Sequence, residues 1–358
     1  MKKILFASSA LVAIAAAGSA QASEPIKLSV GGFMNQWIGV ADEDNTGSDG
    51  RNNAFQSNTE IHFKGSTTLD NGIEVGAVVE LEGETSSDQI DEQYLYVNGN
   101  FGRLEVGKND SAADSMQIVA PAVGPVGVND GDLSLWVDSY LIDTSTTSGD
   151  QNRATYYTPN LNGFRLGVSF ADDSGRNGSF DTTVDGSSIG GYHSDTSGDG
   201  DNIVSVGAEY TGDFDGVSFG VSAIGENRGE GNVYGGGFNV GVANFTFGGS
   251  YSHTEDDYGI SDRGTPAVSD TDQFDIGVSY AMDAAAVSLT YGYADYGNAD
   301  TDGSLTGAGE LNTVDLGLAY TLGAGVAWKS SIFWFDDEVE GGTDNDGYGA
   351  VTGLALSF

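Results

Sequence analysis

The 358-residue sequence contains no cysteine, which removes disulfide staples, thiol nucleophiles and cysteine-bound metals from consideration. Histidine is nearly as scarce. The three copies, His62, His193 and His253, fall on separate segments with no nucleophile motif beside them, so no enzymatic site is expected. Gly235-Gly236-Gly237 is followed by no Lys-Ser/Thr pair and opens no helix, so it is not a phosphate loop. Bases are few as well: 13 Lys and Arg face 53 Asp and Glu, for a net charge of −40. Phosphate binding needs basic clusters, so nucleic acid is excluded as a partner. Past the first 22 residues no apolar run approaches the ~18 residues that a membrane helix needs. What the chain has instead is glycine, 55 residues of it, with about one residue in ten aromatic.

The N-terminus reads as an export leader. Lys2-Lys3, the apolar stretch Ile4 to Ala17 and the small-residue site Ala20-Gln21-Ala22 supply its charged, hydrophobic and cleavage regions. Cleavage is expected after Ala22, which leaves residues 23–358 as one barrel domain in the envelope. The other end is as informative. Tyr348, Ala350, Thr352, Leu354, Leu356 and Phe358 alternate with Gly349, Gly353 and Ser357, a strand long enough to span a membrane, apolar on one side and ending on an aromatic. A last strand of this kind has to pair with the first, because lipid tolerates no open sheet edge.

A period of two recurs through the chain. Ile73, Val75, Ala77, Val79 and Leu81 alternate with Glu74, Gly76, Val78, Glu80 and Glu82. Phe164, Leu166, Val168 and Phe170 alternate with Arg165, Gly167 and Ser169, and Phe274, Ile276, Val278 and Tyr280 with Asp275, Gly277 and Ser279. This is strand patterning, and the glycine-rich second face suits a wet lumen better than a packed core. Tight-turn signals such as Asp70-Asn71-Gly72, Asn98-Gly99-Asn100 and Asp215-Gly216 alternate with long Asp/Ser/Thr-rich connections, among them 42–52, 172–201, 227–231 and 255–271. Short turns at one end and long loops at the other predict an all-β, transmembrane antiparallel β-barrel of sixteen strands.

Residues 109–151 break the pattern. They lack alternation, contain Pro121 and Pro125, and carry Asp110, Asp114, Asp130, Asp132, Asp138 and Asp143. A loop this long is normally functional. In a barrel of sixteen strands it is expected to fold inward and narrow the channel.

Four stretches carry a family likeness. They are Glu60-Ile-His-Phe-Lys-Gly-Ser66 before Asp70-Asn-Gly72; Gln93-Tyr-Leu-Tyr-Val97 with Asn100-Phe-Gly-Arg-Leu-Glu-Val-Gly-Lys108; Arg153-Ala-Thr-Tyr-Tyr-Thr-Pro-Asn160 before Gly163-Phe164; and the terminal Phe358. In order and spacing the chain resembles the Gram-negative porins, especially the alphaproteobacterial type. The resemblance implies a homotrimeric channel in the outer membrane, bounded by lipid and lipopolysaccharide, with the third extracellular loop folded into the lumen. It also implies a transverse field between basic wall residues and acids of that loop, which orients polar solutes. Parity nominates Lys64, Arg103 and Arg165 for the wall, with Arg153 on either face. Asp110, Asp114, Asp130, Asp132 and Asp138 are the loop candidates.

Lumen acids Glu74, Glu80, Glu82 and Glu105 share the polar parity, so passive passage of small hydrophilic solutes with weak cation preference is expected. No cofactor is needed. Asp172-Asp173, Asp195–Asp201 and Asp344-Asn-Asp-Gly347 offer oxygens for loop-bound Ca²⁺ without a closing glutamate. Tyr156, Tyr210, Tyr251, Tyr280, Tyr291, Tyr293, Tyr320, Trp328, Trp334 and Tyr348 fall near strand ends, as interfacial girdle residues do. The competing readings are a solute-specific channel, such as one for carbohydrates, and a calcium-binding structural surface β-protein.

Overall fold

The computed structural model describes residues 25–44, 53–83, 89–129, 132–145, 147–173, 201–259, 270–297, 308–340 and 342–358. The expected leader, Asp130 and most of the 172–201 connection lie outside the described residues. In chain order the first strands are β1 (Lys27–Glu43), β2 (Asn53–Thr68), β3 (Glu74–Glu82), β4 (Ile90–Gly99) and β5 (Gly102–Asn109). After the pattern-breaking segment come β6 (Gln151–Tyr157), β7 (Phe164–Asp173), β8 (Asp201–Phe214), β9 (Val217–Arg228), β10 (Gly231–Val242) and β11 (Phe245–Thr254). The rest are β12 (Thr271–Met282), β13 (Ala285–Tyr296), β14 (Gly309–Gly323), β15 (Val326–Val339) and β16 (Asn345–Ser357). Each strand pairs with its sequence neighbours, and β1 pairs with β16, so the sheet closes as a sixteen-stranded antiparallel barrel. Among the described residues no helix is long and apolar enough to cross a membrane.

The seam uses the last residue. Gly32 N–H donates to the Phe358 carbonyl at 3.0 Å, and Phe358 N–H donates back to Gly32 at 3.1 Å. From there the register runs through Phe33↔Ser357 to Glu43↔Gly347. Closure leaves no row of unpaired amides for lipid to meet.

Short turns collect at the end where β1 begins and β16 finishes. Between β8 and β9, Asp215 and Gly216 have φ of 53° and 80°, the left-handed pair that a type I′ hairpin demands. One long connection is shorter than its composition suggests. Arg228 pairs with Gly231, so Gly229-Glu230 is a two-residue turn, steadied by Asn227 Nδ2 donating to the Gly231 carbonyl at 2.9 Å. Its glycines and glutamate imitate a loop, but they form the hairpin tip itself.

Alternation places apolar side chains outward. Leu28, Val30, Met34, Ile38 and Val40 of β1 and Leu354 and Leu356 of β16 are exposed on the outer wall. Aromatics flank this apolar band. Tyr320 pairs with Trp328 and Phe245 with Tyr280 near the short turns, whereas Tyr251↔Phe274 and Trp334↔Tyr348 lie toward the opposite rim. Such rings suit the boundary between hydrocarbon and headgroups.

The inner face holds the segment between β5 and β6. Its first turn is a short helix, α1 (Ala112–Met116), started by Ser111, whose side chain accepts from the Asp114 amide as an N-cap does. Beyond it the chain runs along the wall, bonding one backbone amide at a time to inward side chains. Ala112 N–H donates to Ser169 Oγ at 2.7 Å, Ala113 to Ser205 Oγ at 3.2 Å and Ile118 to Ser222 Oγ at 2.9 Å. Ala120 N–H then donates to Asp275 Oδ1 at 2.9 Å, Val123 to Ser288 Oγ at 3.1 Å and Val126 to Ser331 Oγ at 3.2 Å. These partners sit on β7, β8, β9, β12, β13 and β15, each on the face opposite the exposed apolar set. A segment with little secondary structure thus has buried amides satisfied by the barrel.

Glycines on the inner wall permit the approach. A Cβ at Gly207 would lie 2.5 Å from the Ala112 carbonyl oxygen, and one at Gly237 would collide with that of Ile118. The face expected to be wet is therefore largely packed. Val126, Leu133, Val137 and Ile142 of the segment bury against Ala294, Tyr296, Leu311, Phe333, Phe335 and Val351 of the wall. Tyr140 stacks on Tyr296 with ring centroids 3.9 Å apart. The apolar core of this barrel lies inside it.

Candidate pore constriction

The segment leaves one side of the lumen open and acidic. A cavity of about 690 Å³ runs beside it, lined by Asp91, Asp110, Asp114, Gln117, Asn129 and Asp275 among others. Carboxyl oxygens of Glu92, Asp110 and Asp150 lie within 4.8 Å of one another, and the Asp110 amide donates to Glu92 Oε1 at 3.3 Å. Burial first, and then the neighbouring charges of Asp110 and Asp143, push the Asp114 carboxyl up to about 8. Burial, followed by Asp110, Asp91 and Glu92, pushes Asp150 up to about 8 as well. Crowded carboxyls taken from bulk water hold their protons longer than isolated ones.

Of the sequence candidates, Asp110 and Asp114 enter this cluster. Asp138 does not. Its side chain is exposed, and its amide and carbonyl bond Glu43 Oε2 and Asn345 Nδ2 at 3.0 and 2.6 Å, near the long-loop rim by β1 and β16. Asp132 opens a single 3-10 turn, Asp132–Leu135, and its side chain lies outside the described residues, as does all of Asp130.

The basic candidates separate into two kinds. Lys64, Arg103 and Arg165 line the inner wall, each beside a wall glutamate. Lys64 Nζ is 3.5 Å from Glu80 Oε1, Arg103 Nε 2.5 Å from Glu105 Oε1, and Arg165 Nε 2.9 Å from Glu209 Oε1. Arg103 also covers the Tyr96 ring at 3.9 Å. Pairing of this sort mutes each cation's field across the pore. Arg153, whose face the sequence leaves open, is buried inward. Its Nη2 donates to Ser148 Oγ at 3.0 Å and to the Gly149 carbonyl, and Nη1 lies 3.9 Å from Glu226 Oε2. It pins the returning end of the segment, where the Ser148 amide also donates to Glu226 Oε1 at 2.6 Å.

Sequence reasoning passed over several participants. Asp91, Glu92 and Asp150 sit at strand ends or in the segment, where parity carries no signal, and Asp143 stood among the segment's acids without being nominated for the passage. Glu226 was obscured by the assumed 227–231 loop. The wall serines were visible as a pattern, but nothing in one strand's sequence says what they bond. Asp344, one of the calcium candidates, accepts the Val339 amide at 3.0 Å and so shapes the β15–β16 turn.

A closed barrel with an apolar outer wall, a polar inner one and an internal segment beside a charged passage is a membrane channel whose path is its own lumen. The sequence matches the Gram-negative porin family over residues 7–338. The chain belongs to that family, and its barrel is an outer-membrane porin channel. Solved structures share the fold at low identity. An anion-selective porin from Comamonas acidovorans aligns with TM-score 0.61 at 15% identity, covering 93% of this chain and 100% of its own. Outer-membrane expressed OmpT of Vibrio cholerae aligns with TM-score 0.61 at 12% identity, covering 95% and 100%. A mutant of the Rh. blastica porin aligns with TM-score 0.57 at 16% identity, covering 93% and 100%. Comparison with curated protein sequences finds no match.

Proposed function

We propose that this porin carries small hydrophilic solutes and ions passively across the outer membrane, with a weak preference for cations. Residues 1–22 are removed after Ala22, and residues 23–358 work as a homotrimer among outer-membrane lipid and lipopolysaccharide. Residues 110–150 set the narrow point. Asp110 and Asp114 face the passage, Lys64, Arg103 and Arg165 supply the opposing charge, and Arg153 anchors the returning end of the segment.

One observation supports this reading above the others: the segment is bonded by its backbone to six strands of the inner wall, leaving an acidic passage at its side. The cation preference follows from charge accounting. Lys64, Arg103 and Arg165 are each offset by a glutamate, whereas Asp91, Glu92 and Asp110 exceed the bases near them, and Asp150 joins them above about pH 8. The neighbour described as anion-selective shares only the fold, and selectivity is set by such side chains. Purified protein added to a planar bilayer should insert in conductance steps grouped in threes. Protein that is folded yet leaves the bilayer non-conducting would overturn the reading.

A further inference from the structure

We propose that Glu60, His62 and Glu80 form a binding site in the channel lumen for a divalent transition-metal ion of the zinc class, and that its occupancy throttles the channel. The throttle rests on the channel reading above; the site does not. Residues i and i+2 of a strand share a face with their cross-strand neighbour. Here Glu60 and His62 sit on the inner face of β2, and Glu80 opposes His62 on β3. One donor atom from each lies within 4.8 Å of the others.

The donor geometry suits a metal better than it suits hydrogen bonds. His62 Nε2 is 3.1 Å from Glu60 Oε1, yet both atoms are buried and neither has a hydrogen-bond partner. Zinc binds imidazole nitrogen and carboxylate oxygen tetrahedrally at about 2.0–2.2 Å, so ligand atoms around one ion stand about 3.3–3.6 Å apart. The 3.1 Å separation is a few tenths of an ångström short of that edge, a gap that side-chain rotation closes.

On the other side of the ring, Glu80 Oε1 is 3.3 Å from Nδ1. A carboxylate there holds the Nδ1 proton and leaves Nε2 as a lone-pair donor, the usual orientation of a ligating histidine. Phe33 fixes the ring from a third direction, edge-on at 6.2 Å and 81°. The Glu60 and Glu80 carboxyls are in hydrogen-bonding reach of each other, with Asp91 and Glu92 adding negative charge nearby. Repulsion at that range is relieved by a divalent cation. One nitrogen among oxygens selects zinc-class ions over Ca²⁺, which prefers oxygen alone.

Lys64 Nζ, 3.5 Å from Glu80 Oε1, competes for the carboxylate that orients the ring and should limit affinity. The His62 and Glu60 side chains are 23% and 13% exposed although their donor atoms are buried, so a small side-chain rotation lets an ion reach them from the pore.

Two readouts test the proposal on the full-length folded protein. Co²⁺, added to protein in detergent, should give a visible absorption band that Zn²⁺ displaces, and His62→Ala and Glu60→Gln should each weaken binding by about tenfold or more. In planar bilayers Zn²⁺ should lower conductance, EDTA should restore it, and His62→Ala should raise the half-blocking concentration by a similar factor. A wild-type Co²⁺ spectrum that is absent, or unchanged in both variants, overturns the site. Channels that conduct equally with and without Zn²⁺ overturn the throttle. A protein that binds Co²⁺ through His62 but never conducts would contradict the channel reading alone.

Discussion

Asp275 holds the middle of the inserted segment, and its removal should release that segment measurably. The carboxylate accepts the Ala120 amide on Oδ1 at 2.9 Å and Asn129 Nδ2 on Oδ2 at 2.5 Å. It also accepts the amide and hydroxyl of Ser250 within the wall, at 2.7 and 2.8 Å. Hydrogen bonds to a charged acceptor contribute about 1.5–3 kcal/mol each. Asp275→Ala breaks the two that reach the segment, so docking should weaken by about 3–6 kcal/mol. At 1.4 kcal/mol per tenfold, local opening becomes about a hundredfold or more easier. Asp275→Asn keeps an acceptor oxygen and should cost roughly half as much. Ser288→Ala, which removes a single neutral bond from Val123, should cost about 1 kcal/mol. Hydrogen exchange read by mass spectrometry over residues 112–129 measures this opening directly. Faster exchange in the order Asp275→Ala, Asp275→Asn, Ser288→Ala is expected. Wild-type exchange in Asp275→Ala would refute the claim that these bonds hold the segment.

Gly207→Val puts carbon where the Ala112 carbonyl and Met116 Sδ already lie, 2.5 and 2.8 Å from an ideal Cβ. It should displace α1, and single-channel conductance should change while the barrel still assembles. Arg153→Ala leaves Glu226 buried without its cation, which should cost about 3–5 kcal/mol; lower resistance to heat unfolding on gels is the readout. Asp114 and Asp150, both pushed up to about 8, are neutral below that pH and ionised above it. Cation preference should therefore grow between about pH 6 and pH 9, and Asp114→Asn with Asp150→Asn should flatten the profile. The same groups favour docking while protonated: that stability is full below their ordinary value of about 4 and is lost as pH rises toward 8. Hydrogen exchange of the segment, corrected for intrinsic rate, should rise over that window.

Much of the scaffold was legible because strand physics is local. Alternation located the strands at 164–170 and 274–280 inside β7 and β12, and the Asp215-Gly216 turn followed from residues that tolerate left-handed backbone. The seam at Phe358 followed because a closed sheet needs a partner for its last strand. Inward placement of Lys64, Arg103 and Arg165 came from parity alone. What could not be read was contact between distant segments. Ser169, Ser222 and Ser331 look alike whether they face water or a backbone amide, and Gly207 and Gly237 look alike whether they line an open channel or a packed one. His62 lacked a visible partner because Glu80 joins it only through the β2–β3 register. Glu226 was hidden by a glycine-rich hairpin tip resembling a loop.

The central claim is that a segment-narrowed, acid-lined passage governs what crosses. Reversal potential across a bilayer holding the purified protein in a KCl gradient tests it most directly. At about pH 9, where Asp114 is ionised, the account predicts a modest potential of the sign set by K⁺ permeating faster than Cl⁻, shrinking toward zero when Asp110 and Asp114 are both changed to Asn. A potential of the opposite sign, or one indifferent to those two substitutions, would contradict it.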